Sequence, residues 1–273
     1  FKIPPMCPFS TPSGLIIVNV LFVAIIFFFR FGAKVVFFNR IRKFSEDLET
    51  EILELLAKPG TKQIVFLNIW GLLKARRKND FAECVKNADL IIPISKSILN
   101  GAKFLKKEIP VRYNPFKAVI QILSVLDSHF KSLYLLGSRG QTLQIVEKNV
   151  RDTFPSLRIV GRCRGYYQKN YESNVIQAIY KASPSLVLVS EGIAEKDCWS
   201  FRRRDQFSSS IFVYYKDAFG IFSKRVKRVD EKVFDKGHEI FTEVLRNPLK
   251  IFLIFPFIWY TIVLVWYRLF KKF

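Results

Sequence analysis

The sequence predicts an α/β fold with a Rossmann-like, mostly parallel sheet and flanking helices. Three short runs rich in Val, Leu and Ile, at residues 132–136, 157–160 and 186–190, lack polar alternation, which is typical of strands buried on both faces. Helix-length segments separate them. A glycine-bearing turn follows each run, so these turns are expected at the carboxyl edge of the sheet, where ligands bind in such folds.

The separating segments carry apolar stripes at helical spacing. The predicted stripes are Thr142, Ile145, Val146 and Val150 in the first segment, and Val175, Ile176, Ile179 and Ala182 in the second. Pro155 and Pro184 stand just before the next strands, where a helix must already have ended. The region therefore predicts a β-α-β-α-β pattern.

The first half of the chain predicts a similar alternation of strands and helices. A helix with acidic residues in its first turn is expected from Ser45 to Leu56, and Lys58-Pro59-Gly60 ends it. The other predicted elements are strands at 35–38 and 63–68, a helix at 69–77, an apolar run at 90–93 and a helix at 116–130.

The chain length of 273 residues accommodates one sizeable domain with additions at both ends. Residues 1–34 are interpreted as an N-terminal membrane anchor or a mis-started segment, because the apolar run at 15–29 is shorter than the about 20 residues that a span needs. Residues 35–222 form the predicted Rossmann-like domain. Residues 223–273 form a basic, helical C-terminal appendage with an apolar segment at 251–267.

The formal charge of +21 indicates an anionic partner. Hydrophobic residues make up 50% of the chain, 28 residues are Phe, and apolar segments occupy both ends, which favours a membrane or a lipid phosphate over nucleic acid. Lys and Arg are also spread along the chain, whereas nucleic-acid-binding proteins usually concentrate them on one helix or arm. A nucleic-acid-binding protein is the weakest hypothesis.

The segment at 251–267 predicts contact with membrane lipid. Aromatic residues occur along its length, and Lys250, Arg268, Lys271 and Lys272 flank it. This pattern suits an anchor at the cytoplasmic face of the cell membrane or a short span, and a buried core helix is the alternative. A homo-oligomer is left open.

The cysteines and histidines predict no metal site and no cofactor. Cys7, Cys84, Cys163 and Cys198 have no CxxC or CxH spacing, and His129 and His238 are the only histidines. The four cysteines are interpreted as scattered, reduced thiols.

A series of short motifs runs through the chain in a fixed order. They are the strand end at 65–68, Ala88-Asp89-Leu90-Ile91-Ile92-Pro93, Ile109-Pro110-Val111-Arg112, Leu135-Leu136-Gly137, Ile159-Val160-Gly161 with Gly165-Tyr166-Tyr167, and residues 184–189 with 192–199. Their order and spacing resemble the WecG/TagA/CpsF glycosyltransferases. The resemblance implies transfer of N-acetylmannosamine or a related hexose from a UDP-sugar donor to a polyprenyl-diphosphate-linked glycan acceptor, without a metal, in cell-surface polysaccharide biosynthesis.

The chain departs from the family pattern where the family has its proposed catalytic Asp. Ile94 occupies that position, and Phe66 replaces a Thr of the family. Because an isoleucine cannot take a proton, the acceptor must be activated elsewhere, or positioning and charge stabilisation must suffice. The alternative is a catalytically inactive, membrane-bound relative that binds a sugar nucleotide or serves as a scaffold.

The candidate catalytic residues are Asp197, Lys196, Asn68 and Ser95. Asp197 is a candidate base for the acceptor hydroxyl, and Lys196 could neutralise the leaving UDP. A solvated charge cluster in the turn after the third strand is the alternative for both residues.

The candidate substrate-binding residues are Arg112, Gly137, Ser138, Arg139, Gly140, Gly165, Tyr166, Tyr167, Glu191, Gly192, Arg228 and Arg246. The turn at 137–140 offers backbone N–H groups and the Arg139 guanidinium to a diphosphate, or it is simply a tight turn. Tyr166 and Tyr167 could stack on uracil or pack in the core. The appendage arginines suit a diphosphate or anionic lipid.

Overall fold

The computed structural model of the chain describes residues 48–237 apart from 77 and 108, and also residues 252 and 254–270. The predicted anchor at 1–34, the predicted strand at 35–38 and the candidate site residue Arg246 lie outside the described residues, as does His238.

Six parallel strands form one sheet in the order β2-β1-β6-β5-β3-β4. The strands are β1 (Lys62–Leu67), β2 (Leu90–Pro93), β3 (Ser132–Leu136), β4 (Arg158–Cys163), β5 (Leu186–Val189) and β6 (Ile211–Tyr214). Every residue of β2, β3 and β5 is buried, which explains why their sequences are apolar without alternation. The predicted α/β fold with a parallel sheet is confirmed.

Helices cover both faces of this sheet. They are α1 (Leu48–Ala57), α2 (Ile69–Ala75), α3 (Asp80–Asn87), α4 (Lys96–Phe104), α5 (Pro115–Ser128), α6 (Gly140–Thr153), α7 (Glu172–Ala182), α8 (Asp197–Arg202), α9 (Ala218–Phe222), α10 (Glu231–Lys236) and α11 (Ile254–Phe270). One core cluster joins α1, α5, α6 and α9 to the sheet, and two others join α2, α3, α4 and α11, and α7 and α8, to the opposite face.

The stripe predicted for α6 is partly wrong. Leu143, Val146 and Val150 are its buried residues, whereas Ile145 is 49% exposed. Residues 143, 146 and 150 follow the i, i+3, i+7 spacing of one helix face, and Ile145 falls beside that face. The α7 stripe holds at its centre, where Val175 and Ile179 are buried.

The parallel sheet brings all the loops that follow its strands to one edge. After β3 the chain continues into α6 on one face, and after β5 it continues into α8 on the other face. In such folds, ligands bind where the loops of neighbouring strands leave toward opposite faces of the sheet. The loops after β3 and β5 are such a pair.

The helix α11 packs on the rest of the protein along one side only. The Tyr260 hydroxyl donates a hydrogen bond to the Ser97 carbonyl at 3.4 Å, and Arg268 Nη1 donates to the Phe104 carbonyl at 3.2 Å. Large apolar side chains on its other side are exposed, namely Phe255, Ile258, Ile262, Val265 and Leu269. Among the described helices, none combines the length and the apolar character that crossing a membrane requires.

Candidate active site

Backbone hydrogen bonds join the three glycine turns to one another. The Ser138 N–H donates to the Glu191 carbonyl at 2.6 Å, and the Gly165 N–H donates to the Ser138 carbonyl at 2.8 Å. The Tyr166 N–H donates to the Gly192 carbonyl at 2.8 Å. The turns after β3, β4 and β5 therefore form a single backbone structure at the carboxyl edge.

Glycine is required where these turns approach most closely. Gly137 has a φ of +133°, and a Cβ there would lie 2.9 Å from the Glu191 carbonyl oxygen. Gly192 has a φ of +92°, and a Cβ there would lie 2.7 Å from a ring carbon of Tyr166. Both the backbone conformation and the space exclude larger residues.

Because the three turns bond to one another, we expect the predicted anion at the start of α6. The N–H groups of Gly137 and Ser138 are used within the protein, since that of Gly137 donates to the Cys163 carbonyl at 2.9 Å. Arg139 and Gly140 are exposed, and they begin a helix of 14 residues whose first N–H groups have no intrahelical acceptor. The predicted phosphate contact therefore centres on Arg139 and Gly140.

Glu191 connects this structure to the chain that follows α9. Its Oε1 accepts a hydrogen bond from Ser138 Oγ at 3.0 Å, and its carboxylate pairs with the Arg225 guanidinium. Arg225 also donates to Thr142 Oγ1 at 3.3 Å. A second cation beside Arg139 thus lies over the start of α6.

The two adjacent tyrosines after β4 have different environments. Tyr166 is 62% exposed and lies against Gly192 with a positive φ of 56°. Tyr167 packs against the core cluster of α7 and α8, and burial raises its pKa to about 12. Tyr166 therefore presents an open aromatic face at the carboxyl edge, whereas Tyr167 is a packing residue.

The ends of β1 and β2 carry the other predicted residues of the edge. Asn68 is exposed and its Oδ1 accepts a hydrogen bond from the Gly71 N–H at 2.7 Å, which caps α2. Ser95 is buried at the start of α4, and its hydroxyl makes no capping hydrogen bond. Ile94 packs against the main core cluster.

Arg112 holds the chain that crosses the end of β2. Its guanidinium lies 3.6 Å from the Phe234 ring centroid, Nε donates to the Ile94 carbonyl at 3.0 Å, and Nη2 donates to the Phe234 carbonyl at 2.8 Å. Burial lowers the pKa of this guanidinium. Lys96 Nζ donates to the carbonyls of Asp235 and Lys236 at 3.2 and 3.3 Å. Residues 225–237, called the C-terminal segment here, are thus fastened over the edge by two cations.

Arg228 belongs to the same segment but lies on the surface. It pairs with Glu231 at 3.1 Å, and its guanidinium lies 5.8 Å from the Phe116 ring centroid. Glu231 also pairs with Lys117 at 3.6 Å. Arg228 therefore contacts nearby side chains, beside the carboxyl edge of the sheet.

Asp197 is the first residue of α8, not a residue of an open turn as the sequence suggested. Its Oδ1 is buried without a hydrogen-bond partner, and burial raises its pKa to about 7. Its carbonyl accepts a hydrogen bond from Gln63 Nε2 at 2.7 Å. Gln63 lies four residues before the end of β1, a rise of about 13 Å, so Asp197 lies below the carboxyl edge. Lys196, next to it, is exposed with a φ of +53°.

Sequence reasoning missed Asp217. This half-buried residue follows β6, a central strand, and so lies at the carboxyl edge between the ends of β1 and β5. Its charge helps to raise the pKa of both Tyr214 and Tyr215, after burial as the first cause. The signal was the apolar run at 211–214 followed by an acidic residue, which the sequence analysis did not interpret as a strand end.

A groove with a volume of about 950 Å³ lies between α7 and α8, and Glu172, Arg202 and Arg203 are among the residues that line it. Arg203 pairs with Glu172 at 2.8 Å and Arg202 pairs with Asp80, so both of these arginines already have carboxylate partners within the protein. Among the described residues, no group of three or more His, Cys, Asp or Glu side chains could hold a metal ion.

Comparison with known proteins gives one family and two relatives. The model of the glycosyl transferase WecG/TagA/CpsF family matches residues 36–273. An N-acetylglucosaminyldiphosphoundecaprenol N-acetyl-beta-D-mannosaminyltransferase of Bacillus subtilis is 21% identical over 176 residues, which cover 64% of this chain and 68% of the relative. The protein of the same name from Bacillus spizizenii is 22% identical over 177 residues, covering 65% and 68%.

Proposed function

The chain belongs to the WecG/TagA/CpsF family of glycosyltransferases, and from this premise we propose that it transfers an N-acetylmannosamine-like hexose from a UDP-sugar to a polyprenyl-diphosphate-linked acceptor. The names of both relatives describe such a sugar and such an acceptor. The observation that carries the proposal is the exposed start of α6 at the carboxyl edge, where Arg139 and Gly140 lie and where Arg225 is hydrogen-bonded to Thr142. Surface-polysaccharide biosynthesis is the process that this reaction would serve.

The donor would bind across the glycine turns. Its diphosphate would accept hydrogen bonds from the first N–H groups of α6 and from Arg139, whose planar guanidinium suits two phosphate oxygens. Tyr166 would stack on the uracil, since it presents an exposed aromatic ring at this edge. Arg225 would lie near the leaving diphosphate and stabilise the charge that develops there.

The reaction would be a direct displacement at the anomeric carbon. The acceptor hydroxyl oxygen forms a bond to that carbon while the bond to the UDP oxygen breaks, and the hydroxyl proton passes to a base. Ile94 cannot serve, because its apolar side chain packs in the core. Among the described carboxylates, we assign the base to Asp217, which lies at the carboxyl edge of a central strand, rather than to Asp197.

Asp197 retains one property of a base, because its pKa of about 7 is close to the operating pH. Its unpaired Oδ1 is closed to solvent, however, and its backbone lies toward the amino half of β1. A base must lie within hydrogen-bonding reach of the proton that it removes. The assignment to Asp217 therefore rests on its place at the carboxyl edge, and Asp197 is the alternative that its own pKa supports.

The test is UDP release by the detergent-solubilised protein with a panel of UDP-hexoses and a polyprenyl-diphosphate-sugar acceptor. We expect acceptor-dependent release that falls at least about 100-fold in Asp217→Asn and less than about tenfold in Asp197→Asn. The reverse ranking would return the base to Asp197. UDP binding without turnover would support the inactive relative, which the packing of Ile94 favours, and absence of binding would remove the sugar-nucleotide proposal.

We further propose that α11 lies on anionic lipid at the cytoplasmic face of the membrane. Its exposed side chains Phe255, Ile258, Ile262, Val265 and Leu269 recur every three or four residues and so share one face. Arg268 lies in the last turn of the helix, and Lys250, Lys271 and Lys272 flank the helix in the sequence. An apolar face between basic residues is typical of helices that lie in the interface of anionic bilayers.

Vesicle sedimentation tests this attachment. We expect the protein to sediment with phosphatidylglycerol vesicles, less with phosphatidylcholine vesicles, and to lose most binding in Ile258→Glu/Ile262→Glu. Thr261→Glu, an exposed polar position of the same helix, is the matched charge control. Equal binding of the double variant and wild type would contradict the orientation of the helix.

A further inference from the structure

Two cysteines that are 114 positions apart in the sequence meet between α3 and α8. Cys84 is buried on α3, and Cys198 is the second residue of α8. Both pack in the same hydrophobic cluster, and Cys84 Sγ lies 3.7 Å from the carbonyl oxygen of the residue before Cys198. Spacing along the chain does not report contacts across the sheet, so the sequence analysis did not pair these two cysteines.

The surroundings fix the position of the Cys84 sulfur. Cys84 Sγ lies 3.5 Å from Gln63 Oε1 and 3.7 Å from the carbonyl oxygen of Asp197, the residue before Cys198. Gln63 Nε2 donates to that same carbonyl at 2.7 Å. The end of α8 that carries Cys198 is thus held against α3 and β1.

The two thiols have unequal reactivity. Cys198 is the more accessible of the two, since it is only partly buried whereas Cys84 is buried. The neighbouring Cys84 thiol lowers the pKa of Cys198, and the nearby Lys74 ammonium acts in the same direction. The Cys198 thiol, together with burial, raises the pKa of Cys84. Cys198 is therefore the thiol that a peroxide reaches first.

We propose that Cys84 and Cys198 form a site of reversible oxidation, at which a hydroperoxide converts the two thiols into an intramolecular disulfide. This inference is independent of the sugar, the acceptor and the catalytic base, because it rests on α3, α8 and β1 alone. The disulfide would join the connection between β1 and β2 to the connection between β5 and β6. It would therefore tie together helices that cover neighbouring strands of the sheet.

The chemistry balances in two steps. The Cys198 thiolate attacks one oxygen of hydrogen peroxide and breaks the O–O bond, which gives the Cys198 sulfenic acid and, after protonation, one water. The Cys84 sulfur then attacks the sulfenic sulfur, and the hydroxide that leaves takes the Cys84 proton as a second water. Two thiols are oxidised by two electrons in total, and the peroxide is reduced to two waters.

Peptide mapping of the intact, full-length protein tests the site. The protein is treated with a small excess of hydrogen peroxide, free thiols are blocked with N-ethylmaleimide, and the chain is digested with trypsin without reductant. We expect the peptides 79–86 and 197–202 to appear as one species, 2 Da lighter than their sum and separated by dithiothreitol. The link should form in a Cys7→Ser/Cys163→Ser background, and it should raise the Tm by several degrees.

Two variants complete the experiment. Cys163→Ser is the matched control, because Cys163 is partly buried and burial raises its pKa, so its loss should leave the link unchanged. Cys84→Ser should let the Cys198 sulfenic acid persist long enough to be trapped by dimedone. Cys198 that still reacts fully with maleimide after peroxide treatment, or Cys163 oxidised before Cys198, would overturn the proposal. A link only between separate molecules would overturn it as well.

Discussion

The two halves of the carboxyl edge are held together by different kinds of contact. The glycine-turn half, residues 137–140, 164–167 and 190–193, is joined by hydrogen bonds from backbone to backbone. In the other half, side chains of Arg112 and Lys96 hold the C-terminal segment through its backbone carbonyls. The first arrangement depends on chain conformation and on small residues, and the second depends on a few long cations.

This difference bears on which side chains each half can replace. In the glycine-turn half, side chains other than those at the required glycines can change while the turns keep their geometry, because the turns bond through the backbone. In the other half, the carbonyl of Ile94 accepts the hydrogen bond from Arg112. That contact therefore depends on Arg112 and not on the side chain at position 94.

The largest effect is expected from a substitution that disrupts the backbone contacts of the glycine-turn half. Gly137→Ala should lower the free energy of unfolding by about 4 kcal/mol, because a Cβ would meet three backbone atoms of residues 190 and 191 at 2.9 to 3.1 Å and the φ of +133° is unfavourable. Denaturant unfolding measures it. Gly60→Ala, with a φ of +84° but nothing within 4 Å, should cost about 1 kcal/mol, and Gly140→Ala, with neither problem, about zero. Equal losses of unfolding free energy in Gly137→Ala and Gly60→Ala would contradict the close approach of the turns at Gly137.

The second prediction tests whether Asp197 lies outside both halves of the carboxyl edge. Its folded-state pKa of about 7 exceeds the ordinary value of 3.8, so the folded protein loses stability as the pH rises from about 4 through 7 and the buried carboxyl ionises. Asp197→Asn removes this loss. Its free energy of unfolding, relative to that of wild type, should therefore rise by about 3 kcal/mol between pH 4 and pH 8. Urea unfolding at both pH values measures the difference. A difference in unfolding free energy between the variant and wild type that is the same at both pH values would mean that Asp197 is exposed to solvent at the carboxyl edge.

The third prediction concerns the C-terminal segment. Arg112→Lys keeps the charge but loses the stacking on Phe234 and the fixed fork of donors, so it should weaken the local attachment by about 2 kcal/mol. Hydrogen exchange of the α10 amides should become about 30-fold faster, while that of β3 stays unchanged. Arg228→Lys is the matched control, because its partner Glu231 is half exposed and little is lost. Similar exchange in the two variants would contradict the fastening by Arg112.

The smallest expected effect separates the side-chain contact of Glu191 from the backbone contacts around it. Glu191→Gln removes the ion pair with the partly exposed Arg225 but keeps the backbone bonds, so it should lower the free energy of unfolding by only about 1 kcal/mol. Thermal unfolding at low and high salt measures it. A loss comparable with that of Gly137→Ala would mean that side chains, and not the backbone, hold the glycine turns together.

Much of the fold could be predicted from the sequence. The apolar runs at 90–93, 132–136 and 186–189 are buried strands, and the three glycine turns lie at the carboxyl edge as expected. The last strand, β6, was missed because its four residues stand alone between polar stretches, without a glycine turn after them. Asp217 was missed with it, because a residue's place at the edge follows only from the strand before it.

The sequence by itself determined the local structure and the edge at which the glycine turns lie, because burial on both faces, turns and helix ends leave marks within a few neighbouring residues. Only the tertiary structure decided that Arg112 binds the Phe234 carbonyl, that Asp197 lies below the edge, and that Cys84 meets Cys198. Each of these contacts joins residues more than 100 positions apart. Their energies depend on distances that the strand order sets, and no local pattern in the sequence encodes that order.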